Sequence, residues 1–230
     1  MEIYNKINNK LKKKGTIKDV IEYLDNEKYL FEQFIKYHYL IVEIGCMYGN
    51  YLPLVYKMDK LYLGVDINCD YINIAMNRVK LLNLNRNKLE FMCENGENVS
   101  KILKKSSLVS EYHLNPREII LIFPFNVFGH FKNPKDVIKQ LAEMSISFII
   151  STFKTSSFAT KIRKTLYMSC GNTNLKIYKE KIGIRIKTSD GFNSVAYNTK
   201  WLIDLMSEFG LKVNVYQLCK IGVAYVHIIK

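Results

Sequence analysis

Two acids and two glycines carry the first chemical signal in this chain. Residues 40–50 read LIVEIGCMYGN, an apolar run that holds Glu43 and leads into Gly45 and Gly49. A second apolar run, LYLGVDI, ends at Asp66 and Ile67, with Asp66 23 positions beyond Glu43. Glycines at 45 and 49 let the chain turn tightly and let a ligand approach its backbone. A dinucleotide fingerprint would also need glycines where Met47 and Asn50 stand, so close contact with a pyrophosphate is not expected. A carboxylate at 43 repels phosphate and attracts a cation such as an amino group or a sulfonium. An acid at the tip of the second strand can take two ribose hydroxyls on its two oxygens.

These residues need a scaffold, and the hydrophobic pattern supplies one. Runs at 39–45, 61–67, 88–94, 118–125 and 145–152 are short and almost continuously apolar, as strands covered on both faces are. Between them lie helical patterns, including 71–84 with Ile72, Ala75, Val79 and Leu82 on one side and 134–144 with Pro134 in its first turn. Upstream, Ile17, Ile21, Leu24, Tyr29 and Phe34 fall near helical spacing. Strand and helix alternate at about 20-residue spacing, which predicts a parallel sheet with helices on both faces. LKVNVYQL and GVAYVHII are separated only by CKI, so they form an antiparallel hairpin. The expected fold is a doubly wound, Rossmann-like α/β domain with a seven-stranded, mostly parallel sheet. Its segments are an N-terminal helical part at 1–38, a cofactor-binding core at 39–152, an insertion at 153–199 and a closing helix and hairpin at 200–230. In such sheets ligands sit beyond the carboxyl ends of the strands, where Glu43 and Asp66 lie. A ribose with free hydroxyls, a cationic amino-acid end and no phosphates together describe S-adenosyl-L-methionine.

At this point the sequence resembles the class I S-adenosylmethionine-dependent methyltransferases over roughly residues 38–152. VEIGCMYGN looks like that superfamily's first motif, although Met47 replaces its middle glycine. The resemblance implies that Glu43, Gly45, Cys46 and Gly49 surround the methionine moiety, and that Asp66, with Ile67 beside it, holds the ribose. EFMCENGENV is similar to the third motif, with Asn95 in place of the usual acid facing the adenine amine and Gly96 next to it. ILIFPFNVFGHFKNP is similar to the fourth: Phe123, Pro124 and Phe125 would line the cofactor, and Asn126 to His130 would face the acceptor. Asn126 and His130 are the candidate catalytic residues, and S-adenosyl-L-homocysteine is the implied product. FPFN differs from the box used by base-amino methyltransferases. There is no Pro-Cys dipeptide for a thiolate attack, so the atom methylated is not read from these motifs.

The acceptor is left to the rest of the composition. Of 230 residues, 48% are apolar and 24% charged, with a formal net charge of +13. Between Ser151 and Lys200 ten basic residues face only Glu180 and Asp190, a net of +8 in less than a quarter of the chain. Phe153, Phe158, Tyr167, Tyr178, Phe192 and Tyr197 are interleaved with them. Such a segment suits a lid over a small-molecule acceptor, or a clamp that neutralises phosphates and stacks on RNA bases. A small-molecule acceptor is the favoured expectation, RNA the alternative, and a non-catalytic partner subunit a third. Five scattered cysteines without a CxxC pair argue against a disulfide framework and a structural zinc site. The start, MEIYNKINNKLKKKG, lacks the apolar run of a secretory signal, and no stretch approaches a membrane span. A cytoplasmic location without membrane contact is therefore expected.

Overall fold

The apolar runs become strands, and their period-two alternation sorts side chains onto two faces of one sheet. The computed structural model describes residues 16–229. Helix α1 (Thr16–Ile35) precedes β1 (Leu40–Ile44), α2 (Leu52–Lys57), β2 (Leu61–Asp66), α3 (Cys69–Leu81) and β3 (Leu89–Cys93). Then come α4 (Val99–Lys105), α5 (Ser107–Glu111), β4 (Ile119–Phe123), α6 (Pro134–Glu143), β5 (Ser147–Phe153) and α7 (Ser157–Ser169). A separate three-stranded antiparallel sheet follows, made of β6 (Lys176–Glu180), β7 (Gly183–Lys187) and β8 (Asn193–Tyr197). Helix α8 (Thr199–Glu208) and the hairpin β9 (Asn214–Gln217) and β10 (Gly222–His227) complete the order. The first 15 residues of the expected N-terminal segment lie outside the described residues, as does the side chain of Ile17.

The large sheet runs β3-β2-β1-β4-β5-β10-β9. Strands β1 to β5 are parallel, and β10 is antiparallel to both of its neighbours. Winding reverses between β1 and β4, which puts their carboxyl ends at the switch point. On one face Leu40, Val42, Leu63, Leu121 and Phe148 pack beneath α4, α5, α6 and α8. On the other, Ile41, Tyr62, Ile120, Ile149 and Ala224 pack beneath α1, α2 and α7. Each such side chain stabilises the fold by roughly 1.5–3 kcal/mol when taken from water, so both helix layers are fixed to the sheet. Among the described residues no helix is long and apolar enough to cross a membrane.

Two expected faces shift. In α1 the buried residues are Val20, Tyr23, Glu27, Leu30, Phe31 and Ile35, whereas Tyr29 is 65% exposed. The buried stripe is thus rotated from the expected one, because the helix turns an acid, Glu27, onto the sheet. In α3, Ile72, Ala75 and Val79 are buried as expected, but Leu82 lies past the last turn and is exposed.

Candidate functional site

Three loops meet at the switch point, and two glycines allow it. Gly45 has φ +74°, and a Cβ there would lie 2.6 Å from a Val127 methyl in the loop after β4. A Cβ on Gly96 would lie 2.4 Å from Ile44 Cγ2 at the end of β1. Alanine at either position would push these loops apart. Between the loops, Asp66 is 8% exposed and accepts the Met47 amide on Oδ2 and the Asn68 amide on Oδ1, both at 2.9 Å. Each oxygen keeps a second lone pair, so the carboxylate is held in place with acceptor capacity for two hydroxyls. Ile67, next along the chain, is 72% exposed. Asn95 is half-buried beside them because Glu94 N donates to Asp66 O (3.1 Å). Its Oδ1 accepts the Glu97 amide at 3.0 Å and so caps the turn. Met47, where the resembled motif has its middle glycine, takes the left-handed φ of 49° itself, the conformation glycine adopts most readily. Cys46 is fully buried, and desolvation pushes its thiol far above the ordinary range, so it contributes backbone and packing here.

Two buried acids organise the strand tips from below. Glu43 is fully buried and accepts Tyr62 OH at 2.5 Å and the Tyr51 amide at 3.0 Å on one oxygen; the other oxygen has no partner. Desolvation raises its pKa to about 8, with the bonds from Tyr62 and Tyr51 acting in the opposite direction. Glu27 of α1 takes Tyr51 OH on one oxygen and Ser151 Oγ on the other, which also accepts the Phe125 amide at 2.8 Å. Burial raises its pKa too. This single carboxyl joins α1, the loop after β1, the tip of β4 and strand β5. Sequence reasoning passed over Glu27; the available signal was an acid repeating with Val20, Tyr23, Leu30 and Phe31 at helical spacing.

The tip of β4 is strained. Phe125 (φ 44°) and Asn126 (φ 66°) are consecutive non-glycine residues in the left-handed region, a conformation that costs of order 1–3 kcal/mol per residue. Phe123 and Pro124 are buried, so of residues 123–126 only Phe125 is partly open. Phe123 does not line open space as expected; it packs edge-on against Phe128 and Phe131. Asn126 is also enclosed. Its Oδ1 accepts from Thr152 Oγ1 and its Nδ2 donates to Ser194 Oγ at 3.0 Å. The expectation that Asn126 acts directly on an acceptor gives way to a positioning role, since its amide is saturated by protein groups.

His130 is placed differently. Its outer surface is exposed, and its ring meets Phe192 at 5.6 Å and Tyr167 at 6.2 Å between centroids. Nδ1 lies 2.9 Å from Asn193 O. A carbonyl only accepts, so Nδ1 carries the proton and Nε2 the lone pair in the neutral ring. Desolvation, then the nearby Arg163 charge, hold its pKa below the usual histidine value, which keeps Nε2 a free base at neutral pH. Tyr167 and Phe192 come from α7 and the turn before β8, elements of the basic insertion. Their contribution was not assigned from sequence, where both were read only as interleaved aromatics.

Contrary to the cysteine expectation, Cys69 and Cys93 are disulfide-bonded, with Cα atoms 5.1 Å apart. The register that pairs Asp66 with Cys93 sets the first turn of α3 over the end of β3, so residues 24 apart in sequence meet. Among the described residues no cluster of three or more His, Cys, Asp or Glu is arranged to hold a metal ion.

The fold is that of the class I S-adenosylmethionine-dependent methyltransferases. A Pyrococcus horikoshii protein is similar with a TM-score of 0.62 at 16% identity, covering 90% of this chain and 89% of its own. A SAM-dependent methyltransferase from Aquifex aeolicus is similar with a TM-score of 0.56 at 17% identity, covering 89% and 90% of the two chains. Magnesium protoporphyrin IX methyltransferase from Synechocystis with bound SAH is similar with a TM-score of 0.54 at 12% identity, over 90% and 85%. No protein-family model and no curated protein matches the chain.

Two predictions follow from this geometry. Asp66→Ala should weaken S-adenosylhomocysteine binding in calorimetry by tenfold or more, from ~1.5–3 kcal/mol of charged hydrogen bonding; unchanged affinity would remove Asp66 from the site. Glu43 keeps its proton up to about pH 8 when folded but loses it near 4.5 when unfolded. Its contribution to stability is therefore present below about pH 4.5 and lost as pH rises to about 8, with a slope of at most ~1.4 kcal/mol per pH unit. Urea midpoints for Glu43→Gln should show a flatter decline over that window than the wild type, and parallel curves would contradict the assignment.

Proposed function

We propose that this protein is an S-adenosylmethionine-dependent methyltransferase acting on a small-molecule acceptor. The observation that carries this reading is that a ribose-type acceptor, Asp66 with exposed Ile67 after β2, and a base, His130 Nε2 after β4, both follow the carboxyl ends of parallel strands in one sheet. Asp66 would hold the ribose hydroxyls, and Ile67 and the half-buried Asn95 would flank the adenine, beside loops that Gly45 and Gly96 allow to close on one another. Glu43, expected at the methionine moiety, is instead fully buried and holds its proton at neutral pH, so it supports the loops from below and does not itself meet the ligand's ammonium. When bound, S-adenosylmethionine supplies a methyl group on a sulfonium, open to in-line displacement.

The chain's own residues do the rest. Glu27 and Asn126 fix the tip of β4, so that the acceptor and the cofactor edge keep a constant separation. His130 Nε2 takes the proton that the acceptor gives up, in a ring whose orientation Asn193 O fixes. Tyr167 and Phe192 wall the acceptor from water. An RNA acceptor is the second reading, favoured by a groove of ≈ 620 Å³ lined by Lys176, Tyr178, Lys187 and Thr188 on the small sheet.

The test is methyl-labelled S-adenosylmethionine with the purified protein and a cell lysate split into small-molecule, RNA and protein fractions. Label should enter the small-molecule fraction, and His130→Gln should cut the rate by roughly a hundredfold, the lower end of general-base contributions. Label in RNA, lost as salt rises, would replace this reading with the second. Cofactor binding with no label in any fraction would make the protein a non-catalytic partner subunit.

A further inference from the structure

We infer that the acceptor is a flat, anionic small molecule whose carboxylate is held by Arg163, a deepening that rests on the methyltransferase reading. Arg163 belongs to α7 and has no exposed surface. Its Nη2 donates to Ile184 O of β7 at 2.7 Å, while Nε and Nη1 are buried without a partner. Among the described residues no carboxylate stands beside it, and burial lowers its pKa. Three N–H donors of a cation are therefore without an acceptor in the interior. A structural arginine so placed would be costly, because a buried, uncompensated charge destabilises a fold strongly. An arginine that waits for an oxyanion accounts for the arrangement, since planar guanidinium donors match a carboxylate.

Its surroundings say what else the ligand carries. Tyr167 lies one helical turn beyond Arg163 and so shares its face. The Tyr167 ring meets Phe192 at 4.8 Å, and both meet His130. The anion's body would lie along this aromatic wall, with a group that loses a proton presented to His130 Nε2. The anion must be small, because a guanidinium with no exposed surface is reached by a ligand that the fold encloses and not by a polymer lying across it.

The proposal is tested by ligand binding, without turnover. Benzoate, 4-hydroxybenzoate, salicylate and phenylacetate would be titrated into the full chain saturated with S-adenosylhomocysteine, alongside their neutral carboxamides. At least one acid should bind tenfold or more tightly than its amide. Arg163→Met should abolish that preference and Arg163→Lys should restore part of it. S-adenosylhomocysteine binding serves as the fold control for both variants. If no acid exceeds its amide in the wild type, or if Arg163→Met keeps the preference, the inference is overturned. Those outcomes with cofactor binding intact would leave the methyltransferase reading standing, whereas absence of cofactor binding in the wild type would remove that reading itself.

Discussion

A carboxyl group buried under the ends of the central strands is the constraint on which the rest of the site depends. Glu27 comes from the helix ahead of the sheet, yet it receives Tyr51 OH, Ser151 Oγ and the Phe125 amide. These groups belong to the loop after β1, to β5 and to the tip of β4, up to 124 positions from Glu27 in sequence. An acid in that setting resists ionisation, and it persists because every neighbour donates to it. Its amide bond to Phe125 accompanies two consecutive left-handed residues, and that kink turns the chain toward His130. Local strain of this kind survives only where surrounding bonds over-determine it.

The charge pattern divides into two regimes. The deep acids, Glu27 and Glu43, lie under the loops and act on the backbone, whereas Asp66 keeps 8% of its surface open. The basic insertion likewise splits. Arg185 is paired with Glu180, and most lysines stand in solvent, but Arg163 is enclosed with donors to spare. A net charge of +8 between Ser151 and Lys200 therefore overstates how much of the segment bears on an acceptor. One buried guanidinium is more informative than the sum.

Much of this was legible in the sequence. Continuous apolar runs located the central strands because both faces of the sheet are covered, and the short CKI connection required the closing hairpin. Asp66 and the glycine loop could be placed at the strand ends from sequence because their positions are local: a strand, a tip and a turn. What was missed depends on tertiary placement. Nothing near Glu27 in sequence shows that its helix rotates it onto the sheet, and the apolar residues Ile21, Leu24 and Tyr29 suggested a different face. Strand β6 is exposed along its length and has no alternation to betray it. Asn126 looked like a catalytic amide from its place after FPF, but Thr152 and Ser194, distant in sequence, saturate it. Cys69 and Cys93 meet only because the β2–β3 register brings them together.

On the proposed reading, the cleft at the ends of β1, β2 and β3 is a cofactor site of the S-adenosylmethionine type. Hydrogen–deuterium exchange of the wild-type chain with and without S-adenosylhomocysteine tests it most directly, because it maps where the ligand lies. Slower exchange is expected only at residues 45–51, 66–68 and 94–98, with little change in the small sheet. No protection on adding the ligand, or protection centred on β6 to β8, would contradict it.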